Sequence, residues 1–156
     1  MIVTIDTNVI INACKNLSWD HLSVLDRVRL GHQAALDLEG KILAEYRGKC
    51  SDIELFKKWY QEMWEQLRFQ QVPGRLENRH VTRLRKLGCH EPSDHVFVAV
   101  AEHTERYLVT EDSDFGKGHL NRALTNAEVT AYMREQLGLT VHDAKEARNH
   151  LSGESP

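Results

Sequence analysis

The sequence predicts an α/β fold, a mostly parallel central sheet with helices on both faces, and two observations carry that expectation. Short β-branched, apolar runs alternate along the chain with longer stretches whose apolar residues recur every three or four positions. Two of those runs, Met1 to Ile5 and Arg106 to Thr110, lead into acids, Asp6 at once and Asp112 just beyond. In an open parallel sheet, both acids would sit at the carboxyl edge, where such folds bind ligands.

Composition fits one ordinary globular domain. The chain has 156 residues, 41% hydrophobic and 28% charged, enough to bury a core without staples. A net charge of −3 argues against a generally basic nucleic-acid coat, while leaving room for a local cationic patch. Three cysteines, Cys14, Cys50 and Cys89, lie far apart and make a disulfide framework a poor fit. With no membrane-length apolar run and no signal-peptide pattern, the expectation is a cytoplasmic protein with no membrane contact.

Taken in order, Met1 to Ile5 predicts a buried strand, and Thr7 and Asn8 are candidate caps for a helix to about Lys15. Asp20 to Leu30 reads as a helix with Leu22, Leu25 and Val28 inward, closed by Gly31. A second strand follows over His32 to Asp37, then a turn, then a helix from Ile42 that buries Leu43, Tyr46 and Cys50. Ser51-Asp52 reads as a cap for a long helix over 52–71. Its stripe of Leu55, Phe56, Trp59, Tyr60, Met63, Trp64 and Leu67 is wider than one core contact needs, so it is either core or a dimer or partner surface.

Pro73-Gly74 breaks the chain. Residues 75–87 then read as a helix with Leu76, Leu84 and Leu87 on one face and Arg75, Arg79, Arg83 and Lys86 on its neighbour. Those four cations either guide a polyanion or form a solvated face. Glu91-Pro92-Ser93 caps a helix over Asp94 to Glu105, which leads into the strand ending at Thr110. After a loop around 117–120 come a helix from Asn126 to Leu137, a short strand near Val141 and a last helix from Asp143 to Leu151. Residues 152–156 are a polar, flexible tail.

The acids form the chemical signal. Asp94 falls in the first helical turn on the side of Phe97, Val98 and Ala101, so it faces the protein. Glu45 borders the buried stripe of Ile42 and Tyr46. Gathering Asp6, Glu45, Asp94 and Asp112 is costly, because like charges raise one another's pKa unless a cation neutralises them. Hard carboxylate oxygens suit Mg²⁺ or Mn²⁺, which would make the acids metal ligands and set up metal-assisted phosphodiester hydrolysis with no Ser or Cys nucleophile. Asn8 would either hydrogen-bond metal waters beside a substrate or cap its helix.

Four blocks carry a resemblance: Ile-Asp-Thr-Asn-Val-Ile (5–10), Ile-Leu-Ala-Glu-Tyr (42–46), Ser-Asp-His-Val-Phe-Val-Ala-Val-Ala (93–101) and Leu-Val-Thr-Glu-Asp-Ser-Asp-Phe (108–115). In this order and spacing they resemble a PIN-domain nuclease, from residue 2 to about 116 and more loosely beyond. The resemblance implies one PIN-like domain over 1–151. It matches Asp6, Glu45, Asp94 and Asp112 to the family's metal-binding, catalytic acids and Asp114 to its secondary acid. It further implies an Mg²⁺- or Mn²⁺-dependent endoribonuclease acting on RNA. Because many bacterial members are toxins of toxin–antitoxin pairs, it also brings in an antitoxin or other regulatory protein. The aromatic stretch 52–71 and the basic stretch 75–87 depart from the compact toxin pattern.

Other readings fit less well. Cys89, His90 and His95 suggest zinc but lack paired spacing and a fourth ligand. An aspartyl phosphatase would want an acid where Asn8 stands. A response-regulator receiver needs adjacent N-terminal acids and a late strand-end lysine, neither of which is in place. The alternative from another class is a non-catalytic, nuclease-like module that binds a partner protein through 52–71.

Overall fold

The computed structural model describes residues 1–117 and 126–152 of the chain. Its centre is a five-stranded, all-parallel sheet in the order β3-β2-β1-β4-β5: β1 (Ile2–Ile5), β2 (Gln33–Asp37), β3 (Phe69–Val72), β4 (Tyr107–Val109) and β5 (Thr140–His142). Eight helices flank it among the described residues: α1 (Thr7–Cys14), α2 (Trp19–Gly31), α3 (Lys41–Cys50), α4 (Glu54–Glu65), α5 (Asn78–Lys86), α6 (Pro92–Glu102), α7 (Ala127–Leu137) and α8 (Ala144–Leu151).

The chain steps outward from β1 through β2 to β3, then returns to the other side of β1 for β4 and β5. Right-handed crossovers in opposite directions place helices on both faces. They also make the gap between the ends of β1 and β4 the switch point of the sheet, where a crevice opens. Ile5 pairs with Val109 there, and the Asp6 N–H continues the ladder to Val109 O at 2.9 Å.

The inner strands are buried on both faces and accordingly read as continuous apolar runs: Val3 and Ile5, Ala34 to Leu36, Leu108 and Val109. α6 packs across β1, β2 and β4 and buries Phe97, Val98, Val100 and Ala101. Tyr46 of α3 is fully buried, stacks obliquely on Phe97 and donates its hydroxyl proton to Ile5 O. That bond ties α3 to the carboxyl end of β1.

The structure corrects two expected elements. The helix expected over 52–71 is α4 alone, ending at Glu65, and residues 69–72 form the edge strand β3, paired with β2 from Ala34↔Phe69 to Asp37↔Val72. Leu67 adopts a left-handed conformation at φ 55°, which ends the helix without a glycine or proline to announce it. Phe-Gln-Gln-Val carries little strand signal of its own, so pairing with β2 decides its state. Inward, α4 buries Phe56, Trp59 and Met63, while Leu55, Trp64 and Leu67 remain exposed.

The second correction concerns residues 75–77, which precede α5 rather than belonging to it. Pro73-Gly74 leads there because Gly74 passes tightly over β2, where a Cβ would stand 2.7 Å from Asp37 Cβ. Arg75 is therefore not on the helical stripe. The loop expected around 117–120 and the tail 152–156 fall outside the described residues from position 118 and from position 153. No helix among the described residues is long and apolar enough to cross a membrane.

Candidate metal centre

Asp6 sits at the end of β1 and is only 5% exposed. It is itself the N-cap of α1: its Oδ1 accepts the Thr7 N–H at 2.7 Å. Its Oδ2 accepts the Thr110 hydroxyl from the end of β4, also at 2.7 Å. Thr7 and Asn8, the caps expected from sequence, lie inside the helix. The Asn8 carboxamide oxygen instead accepts the Glu111 N–H at 3.2 Å, holding the segment that follows β4.

That segment turns at once. Asp112 takes its N–H back to the Thr110 hydroxyl at 3.0 Å and caps a 3-10 turn over Ser113–Phe115, its Oδ1 accepting the Asp114 N–H at 2.9 Å. The turn folds Asp114 back toward Asp112. Across the crevice, Pro92 starts α6 and sets Asp94 in its first turn. Asp94, Asp112 and Asp114 can each offer one carboxylate oxygen with all three within 4.8 Å of one another.

Glu45 stands apart from this trio. Asp37, buried at the end of β2, caps α3 by accepting the Lys41 and Ile42 N–H groups at 2.9 and 2.8 Å. One turn on, Glu45 is half-buried and lines a cleft with Lys41, Ile42, Pro92, Ser93 and Val96. Its charge still reaches the centre, since it helps raise both Asp6 and Asp94.

The electrostatics are those of a site prepared for a cation. Burial pushes Asp6 up to about 7, against the lowering effect of the Thr110 hydroxyl, and Asp112 and Glu45 add to the rise. Burial likewise pushes Asp94 up to about 8, reinforced by the charges of Asp112, Asp6, Asp114 and Glu45. Asp114 is raised as well, by burial and then by Asp112. Hard oxygens, three within mutual reach and two of them, on Asp94 and Asp114, charged only at a cost, fit a divalent cation such as Mg²⁺ or Mn²⁺. Asp94, Asp112 and Asp114 would hold it, with Asp6 behind them.

Among the described residues, Cys89, His90 and His95 do not gather into a metal-ligating group, and burial pushes the Cys89 thiol up to about 12. His95 is buried with its Nε2 2.8 Å from the Cys89 carbonyl, a core contact. Cys14, also pushed up to about 12, and Cys50 are buried free thiols too.

Of the expected cationic stripe, Arg79, Arg83 and Lys86 lie on α5 and are exposed. Arg79 donates to Glu77 at 2.9 Å. With Arg83 it lines a cleft toward α7 that includes His80, Tyr132, Glu128 and Glu135. The structure thus joins Asp94, Asp112 and Asp114, links Asp6 to Asp112 through Thr110, leaves Glu45 in the cleft with Ile42 and Val96, and puts Arg79 and Arg83 in another cleft against α7. Thr110 and Asp37 were not among the expected site residues. Each is a short polar residue ending a strand, the position from which it can brace the edge.

No family model and no curated protein matches this sequence. Among solved structures, it is similar to a chain of the crystal structure of VapBC2 from Rickettsia felis bound to a DNA fragment from their promoter, with a TM-score of 0.52. The match covers 92% of this chain and 98% of that one, at 16% identity. At that identity the likeness establishes a shared α/β fold from end to end.

Proposed function

We propose that the chain is a metal-dependent endoribonuclease of the PIN kind, its domain spanning 1–151 and its tail 152–156, working in the cytoplasm. The observation that carries this reading is the gathering of Asp94, Asp112 and Asp114 at the switch point, with Asp6 buried beside them. The resemblance of four sequence blocks to PIN-domain nucleases and the fold shared with a VapBC2 chain point the same way.

A divalent cation bound there supplies Lewis-acid activation of water for attack on a phosphodiester. The residues do the rest. Asp94, Asp112 and Asp114 carry the ligand oxygens, and Asp6, fixed by Thr7 and Thr110, sets the charge and the spacing of the β1 and β4 ends. Glu45 faces the adjoining cleft and contributes to catalysis from there, as does Asn8 through the segment it holds. Arg75, Arg79, Arg83 and Lys86 bring the RNA backbone toward an otherwise repelling acidic centre. None of the three thiols serves as a nucleophile, because all are buried and their thiol forms are favoured.

A protein partner belongs to the same reading, an antitoxin or other regulator, or a second copy of the chain. Exposed Trp19 on α2 and Leu55 on α4 flank a groove suited to such a contact. If instead the protein is only a partner-binding module, it will leave RNA intact. A labelled RNA incubated with the protein decides between them: cleavage should stop in EDTA and return with excess Mn²⁺. Undiminished cleavage in EDTA would overturn the metal reading.

A further inference from the structure

Glu111 is the acid beside Asp112, yet it belongs to a different set of partners. Its Oε1 lies 3.1 Å from His21 Nε2 of α2 and accepts the Ala144 N–H at the start of α8 at 2.9 Å. Its own N–H goes to Asn8 of α1. His21 is 8% exposed, and its Nδ1 lies 2.7 Å from Ser18 Oγ, the residue preceding α2. The 3.1 Å approach of Nε2 to Glu111 is a close contact without hydrogen-bond alignment, so His21 seats the carboxylate by position.

Three helices therefore converge on the one residue that separates Thr110 from Asp112. Thr110 bonds Asp6, and Asp112 offers an oxygen to the acidic trio. The direction in which the chain leaves β4 decides where the Asp112 carboxylate emerges, and Glu111 is what α1, α2 and α8 hold to set that direction. A carboxylate fixing the geometry of a metal ligand from behind is a recurrent device in metal sites. Here the brace would act on the neighbouring residue's backbone.

We propose that Glu111, seated by His21, is a positioning residue for the metal centre, fixing the Asp112 carboxylate through the backbone they share. The proposal rests on the metal reading above. It separates Glu111 from the acids that would touch the cation, although it stands next to Asp112 in the chain.

The test is Mn²⁺ binding by calorimetry on the full chain without RNA, alongside thermal unfolding in EDTA. Glu111→Ala and His21→Ala should each weaken Mn²⁺ binding, by about 10- to 100-fold for the glutamate. Glu111→Gln, which keeps an oxygen for His21 and Ala144, should restore most of the affinity lost in Glu111→Ala. A purely structural role would lower the melting temperature of Glu111→Ala and leave Mn²⁺ affinity where it was, which would overturn the proposal. Glu111→Gln as weak as Glu111→Ala would also overturn it, since charge and not positioning would then be the cause. Should the wild type bind no Mn²⁺, the metal reading fails and this one with it.

Discussion

The Thr110 hydroxyl joins the two central strand ends: it donates to Asp6 Oδ2 at 2.7 Å and accepts the Asp112 N–H at 3.0 Å. One buried side chain thus fixes the innermost acid and the backbone of a second. Thr110→Val keeps the shape and removes both bonds. It should cost about 1–3 kcal/mol of stability, because a buried acceptor loses its donor. It should also weaken Mn²⁺ binding. Unfolding in urea and Mn²⁺ calorimetry check this, and unchanged values for both would show that the hydroxyl is incidental.

The raised acids predict an inverted pH dependence for the metal-free protein. Asp6 at about 7 and Asp94 at about 8 both lie above the ordinary 3.8, so the folded state binds their protons more tightly than the unfolded state does. Their stabilising contribution is full below about 4, declines as pH rises, and is gone above about 8. In EDTA, Asp6→Asn and Asp94→Asn should therefore gain melting temperature over the wild type at pH 8, with the gain shrinking toward pH 5. Both variants should lose nearly all cleavage. A wild type more stable than either variant at pH 8 would contradict the assigned shifts.

Much of this site was legible in the sequence, for local reasons. A β-branched strand ending in an acid fixes where Asp6 lies, and Pro92 at a helix start fixes Asp94. What was not legible depends on long-range pairing. Strand β3 exists because β2 offers it an edge, and nothing in Phe-Gln-Gln-Val announces that. Arg75 lies ahead of α5 in the segment where Gly74 passes close to Asp37, a contact between residues far apart in sequence. Asp114 joined the trio rather than staying peripheral because the 3-10 turn folds back on the Asp112 cap.

That turn bears on the relative weight of two acids. Asp112 caps the turn and offers an oxygen to the centre, whereas Asp114 offers an oxygen alone. Asp112→Asn should lose more Mn²⁺ affinity than Asp114→Asn. A larger loss at Asp114 would reverse the ranking.

The α5 cations make a salt-dependent prediction. Arg79 and Arg83 share an exposed cleft face, although Glu77 already engages Arg79. In an Asp6→Asn background, where cleavage does not interfere, changing both to Gln should weaken RNA binding. The slope of log affinity against log salt should become shallower by about 1.4, roughly 0.7 per phosphate contact on single-stranded RNA. An unchanged slope would assign this face to solubility.

The most direct test of the central claim is an anomalous-difference map from crystals grown in Mn²⁺ at a concentration that saturates RNA cleavage. A peak bound by carboxylate oxygens of Asp94, Asp112 and Asp114 is expected, absent from Asp94→Asn crystals grown the same way. A peak elsewhere, or none at the trio while the same preparation still cleaves RNA, would contradict it.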